Sequence, residues 1–319
     1  MKNLSAAEAA GLLKTKDNIL ILTHRRPDGD TIGCAAGLCA ALRQAGKNAF
    51  LLKNPDITRT MLIYAEKYWA AEDFSPDFVV SVDIAGTGLF FRGGERYLDQ
   101  IGLAIDHHPS FEGFGAARCV YPEKAACGEI VYEICRELGR ITPEIALPLY
   151  VAVSTDTGCF QYANTTANTH SVAAALIESG IDYFAVNHRH FRVKSKKRLA
   201  LEAGMLAGME FFHEGRGVMM SVSREMMQRL EAAEDDAEDL SSLAGMIEGV
   251  DCGVVLRELA PDEWKVSLRT GANGRVNATD ACTRLGGGGH AMAAGATLNG
   301  SLEDVKRSVL AAIDAVKCE

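Results

Sequence analysis

In the stretch ILTHRRPDGDTIG (residues 21–33), His24, Asp28 and Asp30 fall within seven positions directly behind an apolar run. An imidazole and two carboxylates so close together compete for protons and resist burial, so they need a compensating partner. Three further segments carry similar groups: Asp83 in SVDIAGTG (81–88), Asp106-His107-His108 in AIDHHPS (104–110), and Asp156 in VAVSTDTGCFQY (151–162). Each has a plain structural reading by itself. An Asp behind a strand is commonly the N-cap of the next helix, which fits both Asp30 and Asp83. A His pair in the same place is commonly a hydrogen-bonded turn. Together, however, five carboxylates and three imidazoles at the ends of strands or helices would repel one another unless cations sat among them. Carboxylate oxygens mixed with imidazole nitrogens suit Mn²⁺ and, less selectively, Mg²⁺, Co²⁺ or Zn²⁺. The donors outnumber the needs of one ion, so two are expected.

The elements that would position these groups are legible as apolar runs. NILIL (18–22), AFLLK (49–53), FVVSVD (78–83) and GLAID (102–106) read as buried parallel strands. Helical spacing fills 31–46, 127–139 and 143–154. The fold class is therefore α/β: an N-terminal, mostly parallel sheet flanked by helices, with its polar groups at the strand ends that line one crevice. Six Lys/Arg between 189 and 198 and a long helical pattern then mark a connecting segment. They read as a solvated helix face or as a phosphate-attracting one. Beyond it the order suggests a smaller mixed α/β domain: a strand at 217–222, an acidic helix at 223–248, and a hairpin from CGVVLREL and WKVSLRT. The acidic run EAAEDDAEDL (231–240) reads as solvated. The expected boundaries are 1–187 for the first domain, 188–213 for a helical linker and 214–319 for the second.

The chain has 319 residues, a net charge of −9 and 24% charged residues. The acidic balance argues against a basic surface for long duplex nucleic acid. No stretch approaches the roughly 20 apolar residues needed to span a bilayer. Nine cysteines without a CxxC pair suggest neither a disulfide framework nor a zinc knuckle. The expected location is the cytoplasm.

In order along most of the chain, the H-x-x-x-D-x-D start, Asp83, Asp106-His107-His108, STDTG and the C-terminal GGGGHAMAAG (286–295) resemble the DHH phosphoesterases. The last segment resembles the signature of the DHH-associated domain. The compact two-domain layout most resembles the NrnA-type oligoribonucleases (nanoRNases), which also dephosphorylate 3′-phosphoadenosine 5′-phosphate to AMP. The resemblance implies two Mn²⁺ ions, one held by His24, Asp28 and Asp83 and the other by Asp30, Asp83, His107 and Asp156. It implies that His108 meets the scissile phosphate, and Asp106 would then orient the imidazoles. It further implies substrate binding through Arg269, Gly287, Gly288, Gly289 and His290, with Asn277 beside them, and a homodimer. In the glycine run, backbone N–H groups could cradle a phosphate, and HAMAAGA is expected to start a helix. The implied substrates are short single-stranded RNA, including pGpG-type dinucleotides, and 3′,5′-bisphosphorylated nucleosides. A RecJ-like single-strand DNA exonuclease and a non-catalytic nucleotide-sensing module are the alternatives. One departure is Gln161, where the family often carries Arg after Phe160.

Overall fold

The computed structural model describes residues 3–237, 240–271 and 275–316. The chain divides into two compact units, Met1–Val193 and Lys194–Glu319.

The first unit is built on five strands: β1 (Ile19–Leu22), β2 (Ala49–Leu51), β3 (Phe78–Val82), β4 (Ile101–Asp106) and β5 (Ala117–Val120). They run in the order β2-β1-β3-β4-β5, and every pairing is parallel. Its helices are α1 (Ala6–Lys14), α2 (Gly29–Gln44), α3 (Arg59–Ala65), α4 (Cys127–Leu138), α5 (Pro143–Asp156), α6 (Ala167–Glu178) and α7 (Tyr183–Asn187). β1 shows why the run ILIL is apolar at every position. Ile19 and Ile21 join the core beneath α2, α4 and α5, whereas Leu20 and Leu22 face a second core containing Phe90, Tyr97 and Ile101. A parallel strand covered on both faces has no solvent side to alternate toward. β5 follows no such run and was not expected; its ARCV is only half-buried at the sheet edge.

The strand order reverses between β1 and β3, and such a switch point opens a crevice at the carboxyl ends of the strands. α2 enters that crevice with Asp28 as its N-cap, accepting from the amides of Asp30 and Thr31. The helix then runs almost wholly buried against α5. Cβ atoms placed at Gly29, Gly33 and Gly37 would lie 2.2 Å from Thr155 Oγ1, 2.2 Å from the Pro148 carbonyl and 2.7 Å from Leu149. The three glycines share one face at intervals of four, so the two helices approach closely and the end of α5 reaches the start of α2.

The second unit contains β6 (Glu210–Phe212), β7 (Gly217–Val222), β8 (Cys252–Ala260), β9 (Glu263–Thr270), β10 (Gly288–His290) and β11 (Ala293–Asn299). Their order is β10-β11-β9-β8-β7-β6; β7 and β8 are parallel and the other pairs antiparallel. Helices α8 (Lys196–Ala207), α9 (Arg224–Arg229), α10 (Ala278–Arg284) and α11 (Leu302–Asp314) complete it. Val305 and Val309 of α11 pack with Val254, Val266 and Leu268 on one face; Leu201 and Met205 of α8 pack with Val218 and Met220 on the other.

Two expectations are corrected. The acidic helix at 223–248 is replaced by the short α9 and by 3₁₀ turns at Glu234–Ala237 and Leu240–Met246. Glu231 adopts a left-handed φ of 49°, which ends α9. HAMAAGA starts no helix: Gly288–His290 and Ala293–Asn299 form an antiparallel hairpin. Pairing of β11 along all of β9 overrides the helix preference of its alanines. Cβ atoms at Gly287 and Gly289 would strike β11 backbone at 2.0 and 2.6 Å, so close strand approach explains part of the glycine run.

The basic and acidic runs turn out to be related. Glu202 on α8, only 7% exposed, accepts from Lys194 Nζ at 2.9 Å and from Arg198 Nε at 2.6 Å. Lys197 donates to the Glu231 carbonyl, Ser195 to Asp236, and Arg257 pairs with Glu234.

Candidate metal centre

The switch point gathers the polar groups at the ends of five elements. His24 lies just beyond β1. Asp28 and Asp30 lie at the start of α2, and Asp83 follows β3. Asp106 closes β4 ahead of His107 and His108, and Asp156 closes α5. Three overlapping sets result: His24, Asp28 and Asp83; Asp30, His107 and Asp156; and Asp83, His107 and His108, the donor atoms of each lying within 4.8 Å of one another. Asp83 belongs to two of them.

The separations are those of ligand edges. His24 Nε2 lies 3.5 Å from Asp28 and 3.7 Å from Asp83. His107 Nε2 lies 3.7, 3.6 and 3.6 Å from Asp30, Asp83 and Asp156. These are too long for hydrogen bonds. Two atoms about 2.1 Å from a shared cation lie roughly 3.0–3.6 Å apart at ordinary coordination angles. A buried oxygen makes the same point: Asp83 Oδ1 finds no hydrogen-bond partner, although Asp83 is only 3% exposed. An ionised oxygen stranded in that way is costly unless a cation meets it. The residues therefore fit a divalent metal pair.

The surrounding contacts aim the donors. His24 Nδ1 faces the Arg25 carbonyl at 2.8 Å, and His107 Nδ1 faces the Lys124 carbonyl at 3.1 Å. Donation from Nδ1–H to a carbonyl leaves each Nε2 as the ligand nitrogen. His108 is held differently. Its Nδ1 lies 2.7 Å from Asp106 Oδ1, which also accepts from the amides of His107 (2.6 Å) and His108 (2.8 Å). Asp106 thus orients the His108 ring, while Lys124 orients that of His107. Asp83 sits at φ 57°, a left-handed conformation that Asp tolerates better than most residues, while its amide donates to the Ile105 carbonyl. Asp30 does not cap its own helix; it caps α4. Its carboxylate accepts from Cys127 N at 2.7 Å, Gly128 N at 2.9 Å and Cys34 Sγ at 3.2 Å. The N-cap residue of α4, Ala126, has no side chain able to do this.

The electrostatics express the crowding. Burial, reinforced by neighbouring carboxylates, pushes Asp30 and Asp83 well above the usual carboxylate range. Burial also lifts Asp156 to about 6, with Asp28 adding to it and His107 opposing. Burial works against a charged His24, yet Asp28 and Asp83 outweigh it and raise the imidazole to about 9. Without cations, the cluster holds protons that metal binding must displace.

Arg25 and Arg26 are exposed, so they do not neutralise the cluster. Sequence reasoning missed Asn54, which is buried and bonded to Thr23 and His24. It missed Glu112 too, whose carboxylate binds the amide and hydroxyl of Thr87 at 2.8 Å each and ties the β4 loop to the β3 loop. Neither residue lies in a ligand-like pattern. In the second unit, Arg269 is the penultimate residue of β9, Gly287 precedes β10, and Gly288, Gly289 and His290 form that exposed strand. Asn277 accepts from the amides of Thr279 and Asp280 as the N-cap of α10.

Residues 18–153 match the N-terminal domain of the DHH family, and residues 222–317 match the DHHA1 domain. A protein of this make-up is a hydrolase of the phosphodiesterase and phosphatase class. The chain belongs to the DHH family. It is 34% identical to the bifunctional oligoribonuclease and PAP phosphatase NrnA of Thermus thermophilus, over 92% of this chain and 89% of that protein. The enzyme of the same name from Bacillus subtilis is 25% identical, over 88% and 90%. An exopolyphosphatase-related protein from Bacteroides fragilis shares the fold, with a TM-score of 0.85 and 23% identity over 97% of this chain and 96% of that one. No helix among the described residues is long and apolar enough to cross a membrane.

Proposed function

We propose that this chain hydrolyses short oligoribonucleotides, including pGpG-type dinucleotides, to mononucleotides, and removes the 3′-phosphate of 3′-phosphoadenosine 5′-phosphate, using two Mn²⁺ ions. The observation that carries the reading is the buried Asp83 carboxylate, shared by two donor sets and left with an unpartnered oxygen. His24, Asp28 and Asp83 would hold one ion; Asp30, Asp83, His107 and Asp156 would hold the other. Such a pair supplies charge neutralisation and a water of lowered pKa for an in-line displacement at phosphorus.

The protein's own groups then divide the remaining work. His108 contacts the scissile phosphate and gives a proton to the leaving oxygen, while Asp106 fixes its ring through Nδ1. Arg269, Gly287, Gly288, Gly289 and His290 are the substrate-binding residues of the second unit. Arg269 can grip a phosphate bidentately, and exposed glycine amides can approach one closely. Asn277 shapes that surface by starting α10. A few local cations suffice for two to five nucleotides, so a net charge of −9 is compatible with this substrate class. The cytoplasm and a homodimer complete the reading.

The test is a set of initial rates with Mn²⁺ on a dinucleotide, a five-mer, a twenty-mer and 3′-phosphoadenosine 5′-phosphate. Turnover should be fastest on the two short RNAs and clear on the bisphosphate. Equal or faster hydrolysis of the twenty-mer would overturn the short-substrate assignment.

A further inference from the structure

Asn54 stands on the loop after β2, the edge strand beside β1, and is 1% exposed. The ladder between these strands ends where Leu52 N donates to the Ile21 carbonyl at 3.0 Å. Beyond that point the Asn54 side chain takes over. Its Nδ2 donates to Thr23 Oγ1 at 3.0 Å and to the His24 carbonyl at 2.8 Å, and its Oδ1 accepts from Asp56 N at 3.0 Å. Both amide hydrogens are thus committed to two successive residues, the second a candidate ligand.

His24 is gripped from the opposite side by main chain alone. It bridges to Phe90, and Arg25 N donates to the Leu89 carbonyl at 2.7 Å. Those contacts do not depend on side-chain identity. Among the described residues, the side chain that bonds the main chain of His24 is that of Asn54. The Asp30, His107 and Asp156 set has separate supports, namely the amides of Cys127 and Gly128 and the Lys124 carbonyl. None of these touches Asn54.

We propose that Asn54 is a positioning residue for His24, and that it sets the affinity of the His24, Asp28 and Asp83 set while leaving the Asp30, His107 and Asp156 set unaffected. The inference rests on the metal reading above. Asn54 Oδ1, the atom through which an amide would ligate a cation, accepts instead from Asp56 N at 3.0 Å, so Asn54 acts through its contacts with Thr23 and His24. It fixes where the His24 main chain starts, and the ring then needs only its Nδ1 contact with the Arg25 carbonyl to aim Nε2. Supports of this kind typically alter metal affinity about 10–100-fold.

The full chain, stripped with a chelator, is titrated with Mn²⁺ by calorimetry and by electron paramagnetic resonance. Wild type, Asn54→Ala and Thr23→Val are compared, and thermal unfolding of each metal-free protein is recorded. Wild type should bind two equivalents. Asn54→Ala should weaken one of them about 10–100-fold and leave the other within about 3-fold. Thr23→Val, which keeps the Asn54–His24 bond, should hold both within about 3-fold. Should Asn54→Ala fail to fold, Asn54→Ser carries the same readout with one hydroxyl in the space. Equal weakening of both equivalents, or no weakening, would overturn the proposal. Failure of the underlying metal reading looks different: wild type would bind no ion, or Asp83→Ala would retain both equivalents.

Discussion

Two buried groups of charge in this molecule behave in opposite ways. On α8 of the second unit, Glu202 is surrounded by donors: Lys194 and Arg198 both reach it, and burial is more than offset, so its carboxyl stays below the usual range. At the switch point of the first unit, Asp30 and Asp83 are more deeply buried and face other carboxylates, so they are pushed upward. The Arg25 and Arg26 side chains that sit nearby in sequence are exposed instead. Both regions are rich in charge, yet only one leaves an orphaned oxygen. A carboxylate paired with Lys and Arg is part of the architecture; a cluster of carboxylates that face one another is a candidate cation site. Charge density alone would not have told them apart, whereas the balance of sign in the buried volume does.

The sharpest way to break this contrast is Asp83→Ala, which removes the shared carboxylate. Activity with Mn²⁺ should fall by at least about 10³-fold, the scale of several kcal/mol of lost charge stabilisation. Both bound equivalents should be lost in calorimetry. A variant within tenfold of wild type would mean that the cluster is ordinary polar structure. Next comes the pH dependence of metal loading. His24 raised to about 9 and Asp156 raised to about 6 hold protons in the metal-free protein at and below those values. A cation must displace them, so Mn²⁺ affinity should climb as pH rises from about 6 to 9, with protons released to the buffer. Calorimetry in buffers of different ionisation enthalpy measures that release, and a pH-independent affinity would contradict it.

On the paired side the effects should be smaller and confined to stability. Glu202→Ala removes the common partner of Lys194 and Arg198 and should cost about 1–3 kcal/mol in denaturant unfolding. Mn²⁺ affinity should stay within about twofold, and a change of both together would erase the distinction between the two regions. The smallest effect belongs to the exposed rim. Lys197→Ala, which loses the contact with Glu231, should shift stability by no more than about 0.5 kcal/mol.

Much of the site was readable because its chemistry is unusual. Asp and His at the end of an apolar strand or helix have few structural reasons to cluster, and four such places in one chain narrow the choice. The parallel core was readable for a related reason: ILIL is apolar at every position and FVVSV at all but Ser81, as suits strands covered on both faces. The second unit was harder. A helix was expected from HAMAAGA because alanine favours one, but the ladder to β9 decides the matter. An acidic helix was expected across 223–248, where a left-handed Glu231 interrupts it. The basic run at 189–198 reads locally as a solvated or phosphate-attracting face, and the acidic run at 231–240 as solvated. In the structure Ser195 and Lys197 reach Asp236 and Glu231, and no local window contains both partners.

From the sequence alone come the residue types of the ligand set, their order, and the alternation of strands and helices that puts each at an element end. Those follow from local rules: apolar runs bury, and polar groups collect where runs stop. The tertiary structure alone decided which donors lie within reach of one another and which groups brace them. The close approach of α2 to α5 through Gly29, Gly33 and Gly37 brings Asp156 to Asp30 and His107. The order of the strands places Asp83 between the two sets, and Asn54 meets His24 only because β2 lies beside β1. Such contacts join residues tens of positions apart, and their energies depend on distances of a few tenths of an ångström that no spacing of letters records.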